Sequence, residues 1–395
     1  MYQFDEVVER RGTLSKKWDP QTLEEMFGNQ EALPLWVADM DFRVPPEVIN
    51  HLKQAVEHGI YGYSMGEQAN QAFASWVERR HHWTIKSEWI VNTPGVVVGL
   101  NNAIQVFTQP GDQVLIQQPV YPPFYHSIIN NGRQVANNPL IRQGDQYQID
   151  FEHFETLAKD PLTRLFILCS PHNPLGRIYT PDELKRMFDI CFKYDVQVIV
   201  DEIHNDIIMP GYEFTTIGQL GEAYYQRIIT CMAPSKSFNI AGLQWSAMVI
   251  PDEGIRQKFS RHLEQMGIRL CNPLSFVGVE AAYQYGDSWL DTLIVYLNDN
   301  YHYMKERLAQ SLPSLEVLEL QATYLSILDF SNYLLDEATL EDLIYRKAGV
   351  ALNAGIWFGE AGEGLMRINL ACPRATLEEA LNRLIEALTP FENKA

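Results

Sequence analysis

Cysteine is scarce in this chain: five in 395 residues, at Cys169, Cys191, Cys231, Cys271 and Cys372. They are scattered, odd in number and include no C-x-x-C, which argues against a disulfide framework and a zinc centre, and no metal site is expected. Cys169 and Cys231 lie in apolar strand-like runs and read as buried thiols. No uninterrupted apolar run approaches the ~18–20 residues of a membrane span. The opening M-Y-Q-F-D-E-V-V-E-R-R is amphipathic and charged, without the apolar core of a secretory signal, so the cytoplasm is the expected compartment. Positive charge is also short: 31 Lys and Arg stand against 50 Asp and Glu, a net −19. A chain this acidic is ill suited to nonspecific contact with nucleic acid or an anionic membrane. It carries no DNA-reading motif, no internal repeat and no long linker.

What is present is ordinary globular composition, 46% hydrophobic and 21% charged, ample for a large core. Residues 1–47 are irregular and aromatic and end at Pro45-Pro46. From there to about Tyr285, strand-like and helix-like segments alternate. The strand candidates are Gln113–Gln117, Arg164–Cys169, Val196–Val200, Ile228–Met232 and Ala247–Ile250. Amphipathic stretches such as Tyr121–Asn130 and Asp182–Tyr194 separate them. Thr180-Pro181-Asp182-Glu183 gives the latter a cap followed by Pro in the first turn. This alternation predicts an α/β fold with a mostly parallel sheet covered on both faces. From 288 on the pattern changes. A long helix over Ser288–Gln310 precedes strands at Thr323–Asp329 and Leu365–Asn369 and a last helix over Thr376–Leu388. That predicts a smaller α+β domain of residues 288–395, joined by 1–47, beside a large domain of 48–287.

In open α/β sheets ligands bind beyond the carboxyl ends of the strands, so the residues following each strand matter most. Asn173 follows one strand in S-P-H-N-P-L-G-R. Asp201 follows the next in D-E-I-H-N-D, and Lys236 the next in A-P-S-K-S-F-N-I-A-G. Pyridoxal phosphate (PLP) requires these group types. A lysine amine forms its imine, and an aspartate holds the pyridine nitrogen protonated so that the ring accepts carbanion electrons. A neutral donor such as Asn fixes the phenolic oxygen. Backbone amides at a helix start hold the phosphate, and T-P-G-V-V-V-G-L (Thr93 to Leu100) is the candidate. Tyr121 in Q-P-V-Y-P-P-F-Y is the candidate to stack on the ring. Taken singly, each has a plainer explanation as a surface lysine, a cap, a turn residue or packing. Their joint occurrence in this order is the signal.

That order resembles the fold-type I, aspartate-aminotransferase-like superfamily of PLP enzymes. The finer wording resembles its cystathionine β-lyase (C–S lyase) branch: R-R-G-T-L-S-K-K-W-D from Arg10, W-V-A-D-M-D-F from Trp36, Y-G-Y-S from Tyr61, D-E-I-H from Asp201, S-K-S-F-N-I-A-G-L-Q from Ser235 and M-R-I-N-L-A-C-P-R from Met366. The likeness spans nearly the whole chain. It implies a seven-stranded large-domain sheet and a small domain built from both termini. It implies that Lys236 is the imine-forming lysine and catalytic base, that Asp201 pairs with the pyridinium, and that Asn173, His204 and Tyr121 line the ring. Gly95, Val96, Val97 and Ser235 would hold the phosphate, with Tyr63 reaching that of a neighbouring subunit in a homodimer with shared sites. Arg367, with the Ala38 backbone, would bind the substrate α-carboxylate. Arg367 suits this on residue grounds as well, because a planar guanidinium binds carboxylate in bidentate fashion; Arg374 is the rival, expected to be exposed ahead of a capping Thr376.

Two positions depart from the common aminotransferase pattern. Gln244, eight residues after Lys236, replaces an arginine that helps hold the phosphate. His204, three after Asp201, replaces a tyrosine. The expectation is therefore α,β-elimination on a small sulfur amino acid, giving a thiol, pyruvate and ammonia. The alternatives are a class I aminotransferase and, in another class, a regulatory binding protein that retains the PLP fold.

Overall fold

The structure is a computed structural model that describes residues 2–144, 146–268 and 271–392. A seven-stranded sheet forms its centre: β1 (Ile90–Thr93), β2 (Gln113–Ile116), β3 (Gln134–Asn137), β4 (Thr163–Cys169), β5 (Gln197–Asp201), β6 (Ile228–Met232) and β7 (Ser246–Val249). The spatial order is β1-β7-β6-β5-β4-β2-β3. Only β7 runs against its neighbours; the remaining pairs are parallel. The central strands are buried along almost their whole length, which explains why they read as continuous apolar runs rather than alternating ones. Register places Cys169 opposite Asp201 and Asp201 opposite Cys231. Three neighbouring strands thus end level, and the segments bearing Asn173, Asp201 and Lys236 leave the sheet at one edge.

Helices cover both faces. The helix Pro181–Lys193 starts as its sequence dictates: Thr180 caps it, and Glu183 returns the bond in a capping box worth about 1 kcal/mol. A second sheet, β8 (Glu316–Val317), β9 (Leu325–Asp329), β10 (Asn353–Ala354) and β11 (Leu365–Asn369), is antiparallel in the order β8-β9-β11-β10. The helices Asp287–Ser311 and Arg374–Glu392 pack together beside it.

The structure corrects three sequence expectations. Residues 1–47 are not wholly irregular. Asp19 caps the helix Pro20–Phe27, and Leu33–Pro34 pairs in parallel with Val350–Ala351. Phe27 anchors this segment edge-on against Tyr345, with ring centroids 4.9 Å apart. Thr323 does not open a strand: its φ of 71° puts it in the left-handed region, its N–H donates to Ile207, and the strand begins at Leu325. The last helix begins at Arg374, so Thr376 lies in its first turn and does not cap it.

All five cysteines are free and buried, and burial pushes each thiol above its usual range. Among the described residues no helix is long and apolar enough to cross a membrane, and no group of three or more His, Cys, Asp or Glu could hold a metal ion.

Candidate active site

Asp201 ends β5 between two buried strands, and among the described residues its carboxylate accepts a single hydrogen bond, from the Ile203 N–H at 3.1 Å. Desolvation therefore dominates and raises its pKa to about 7, against the pull of Ile203 and the Lys236 charge. A buried carboxylate with one neutral donor is suited to a cationic partner, and a protonated pyridine nitrogen is such a partner.

Lys236 lies on the short helical turn Pro234–Ser237 after β6, and its amine donates to the Ala38 carbonyl at 2.7 Å. Burial, then the Arg367 charge, bring its pKa down to about 8 despite the opposing fields of Asp39 and Asp201. An appreciable neutral fraction is therefore available near neutral pH. Tyr121 precedes the helix Pro122–Asn130. Burial and the Asp201 charge push its hydroxyl up to about 12, so it stays protonated. His204 is buried with Nδ1 unpartnered. Burial and the charges of Lys236 and Arg367 hold it well below the usual imidazole range, so it is neutral.

Arg367, on β11, is buried without a carboxylate partner among the described residues. It donates to Asn173 Oδ1 (3.0 Å), the Trp36 carbonyl (2.8 Å) and Asn353 Oδ1 (2.5 Å), while its Nε has no acceptor. Its charge is desolvated and its pKa drawn down to about 10. An incoming carboxylate would restore the missing counter-charge. Arg374 is committed elsewhere, to Asn300 at 2.8 Å and over the Tyr303 ring at 4.3 Å, and is half-buried rather than exposed. The bond from Arg367 to Asn173 also ties the two expected binding functions together. It occupies the Asn173 carbonyl oxygen and leaves the amide nitrogen free to donate.

At the proposed phosphate end, Gly95 precedes the helix Val96–Phe107 with φ 102° and ψ 151°, a conformation open to glycine. The helix start has no side-chain cap, so the Val96 and Val97 N–H groups are suited to an anion, whereas the Gly95 N–H is turned onto the Thr93 carbonyl at 2.8 Å. Gly95 thus fits by lacking a side chain more than by donating. Ser235, on the Lys236 turn, is half-buried. Tyr63 is not brought into this cluster: it stands fully exposed in the loop between the helices Pro46–His58 and Glu67–His81. Gln244 is exposed too.

Several residues that sequence reasoning did not single out complete the arrangement. Tyr324 donates to the same Ala38 carbonyl at 2.9 Å. Asp206 receives Ser237 at 2.5 Å, His81 at 2.7 Å and Trp76 at 2.9 Å, which pins the turn that carries Lys236. Asn239 binds the backbone of Met40 and Phe42. Asp206 and Asn239 lay inside the D-E-I-H-N-D and S-K-S-F-N-I motifs and could have been found there. Tyr324 and Asn353 had no local signal.

The residues therefore fit PLP: an under-partnered buried acid, an amine of lowered basicity, a free amide donor and an uncapped helix start converge at one sheet edge. Comparison with known proteins agrees. Residues 31–384 match the family model "Aminotransferase class I and II". Cystathionine beta-lyase PatB of Bacillus subtilis is 44% identical over 387 residues, covering 98% of this chain and 100% of that protein. The structure of cystalysin from Treponema denticola, which contains a pyridoxal 5'-phosphate cofactor, superposes with a TM-score of 0.95 at 37% identity, covering 99% of both chains. The PLP-bound C–S lyase from Staphylococcus hominis gives 0.91 at 33%, covering 98% of both. The chain belongs to the class I and II aminotransferase family, and within the fold-type I enzymes to the PLP-dependent C–S lyase branch.

Proposed function

We propose that Lys236, Asp201, Asn173 and Arg367 are the working set of a β-elimination that turns an amino acid with a sulfur-linked β-carbon into a thiol, pyruvate and ammonia. The observation that carries this assignment is the pairing of a buried, carboxylate-free Arg367 with Asn173. Arg367 orients the substrate by its α-carboxylate. Lys236 Nζ takes the α-proton of the bound substrate and holds it for the departing sulfur. Asp201 keeps a positive charge fixed at the sheet edge, and Asn173 donates beside it. When bound, the cofactor supplies the electron sink. Tyr121, Val96, Val97, Gly95, Ser235 and His204 frame it, and the Ala38 backbone stands with Arg367 on the substrate side.

The direct test supplies cystathionine or cysteine without any keto-acid acceptor. Pyruvate released in step with thiol or sulfide supports elimination. A keto product formed only when an acceptor is added would make the chain an aminotransferase, and no turnover at all would favour the regulatory reading. Arg367→Lys should raise KM about tenfold or more while leaving the visible cofactor spectrum unchanged, because a point charge cannot reproduce the guanidinium fork. If Arg374→Lys does this instead, the clamp is misassigned.

The two-domain division at 47 and 288, a cytoplasmic location and a homodimer belong to the same reading. Support for the dimer is local. Around Tyr63 the exposed side chains include four large apolar ones, Val56, Ile60, Tyr61 and Met65. We place Tyr63 at the partner's phosphate, where it supplies a donor that Gln244 does not. Tyr63→Phe should weaken cofactor binding by about 1.5–3 kcal/mol. Mixing Tyr63→Phe with Lys236→Ala chains, at a cofactor level where each parent is inactive, should restore about half the wild-type activity per heterodimer, since one site then carries both defects and the other neither. A monomer in solution, or no recovery on mixing, would refute the shared site.

A further inference from the structure

The segment Trp36–Phe42 crosses the site as a strap held by its own carbonyl groups. Arg367 takes that of Trp36 (2.8 Å), and Asn369 takes those of Val37 (2.6 Å) and Asp39 (2.7 Å). Asn239 takes those of Met40 (3.0 Å) and Phe42 (2.9 Å). The Ala38 carbonyl is shared by the Lys236 amine (2.7 Å) and the Tyr324 hydroxyl (2.9 Å). The next side chain along is Asp39. Its Oδ2 pairs with Arg10 at 2.6 Å, whereas its Oδ1 is shielded from solvent without any hydrogen-bond partner. Arg10 also pairs with Asp41 at 2.5 Å, and Asp41 is bound by the buried Lys17 at 2.7 Å. Leaving a carboxylate oxygen unmatched costs stability, so its persistence beside the reactive amine calls for a role.

We propose that Asp39, trimmed by Arg10, is a positioning residue that balances the charge of the Lys236 amine as it accepts and releases the substrate's α-proton. The inference rests on the reading of Lys236 as the catalytic lysine. In that transfer the α-C–H bond breaks, an N–H bond forms at Nζ, and the electron pair stays on the substrate side. The amine becomes an ammonium in a desolvated pocket that already holds Arg367. The charged groups facing it are Asp39 from the strap, Asp201 from β5 and Arg367 from β11, together with the neutral His204 and Tyr324. Of the two carboxylates, Asp39 acts on Lys236 the more strongly, and Tyr324 feels it as well. Asp201 is the one matched to the cofactor ring, which leaves Asp39 as the counter-charge for the ammonium. A bare carboxylate there would hold the proton too firmly for the amine to act as a base. Arg10 on Oδ2, with Lys17 behind it on Asp41 and on the Asp39 carbonyl (3.4 Å), weakens that hold.

The two members of the ion pair should therefore act in opposite directions. The midpoint of Lys236 ionisation can be read on the full-length chain stripped of cofactor, from the pH dependence of its labelling by trace acetic anhydride followed by peptide mapping. The acid limb of kcat, which reports groups in the substrate complex, gives a second reading on the loaded enzyme. Asp39→Asn should lower both midpoints by about one pH unit, Arg10→Gln should raise them by a similar amount, and Arg10→Lys should leave them in place. Generic loosening of the strap would move both variants the same way, and that outcome, or no shift in either, overturns the proposal. Should Asp39→Asn fail to fold, the contrast of Arg10→Gln with Arg10→Lys carries the same test. Borohydride reduction of the holoenzyme separates the two levels. A pyridoxyl group on a lysine other than Lys236 defeats the functional reading and this inference with it. A group on Lys236 with unmoved midpoints defeats this inference alone.

Discussion

Lys236→Ala should fold and bind cofactor yet lose elimination activity by roughly ten-thousandfold or more, about 5.4 kcal/mol of transition-state stabilisation. The magnitude follows from the loss of the base that takes the α-proton, with no neighbour able to replace it. His204 is buried and neutral, but its ring faces Tyr324 with centroids 6.2 Å apart. Tyr121 and Tyr324 have hydroxyls pushed well up by burial, so neither is a base near neutral pH. Pyruvate formation in a single turnover would measure the loss. A variant within tenfold of wild type would mean that another group takes the proton and that the lysine only anchors the cofactor.

Asp201→Asn should separate stability from activity. Turnover should drop by roughly a hundredfold or more, because an amide cannot hold a ring nitrogen protonated. The cofactor-free chain should become no less stable and, at neutral pH, more so. The sign follows from the raised pKa: between the ordinary carboxylate range and about 7, the folded cofactor-free chain binds more protons than the unfolded one. Its stability therefore falls as pH rises through that window, and the asparagine variant escapes the fall. Thermal melts of both chains without cofactor at pH 4.5 and pH 8 test this. The gap should open only at the higher pH, and a destabilised variant at pH 8 would show that Asp201 has a structural role instead.

Much of this site was legible because it sits where local pattern and chemistry coincide. The runs at β6 and β11 were delimited to the residue, since both are short, apolar and sharply bounded. Asn173, Asp201 and Lys236 stood out because each lies at or within a few residues of the end of such a run. What escaped has a common cause. Carbonyl groups carry no residue identity, so nothing in W-V-A-D-M-D-F announces that the backbones of Trp36, Val37 and Ala38 would serve Arg367, Asn369, Lys236 and Tyr324. Tyr324 and Asn353 come from the second sheet, by contacts distant in sequence. The helix Pro20–Phe27 was hidden by its eight-residue length, although Asp19 and Pro20 were adequate start signals.

The burial of every cysteine bears on what this enzyme releases. A carbon–sulfur lyase sets free thiols or sulfide beside its own surface, and thiols exchange through their thiolate forms with any accessible disulfide or oxidised cysteine. Here Cys169, Cys191, Cys231, Cys271 and Cys372 are all enclosed, and burial keeps them in the protonated, unreactive form. The chain therefore presents no sulfur through which its product could become covalently attached, and oxidation of the released thiols leaves the catalyst itself unmodified.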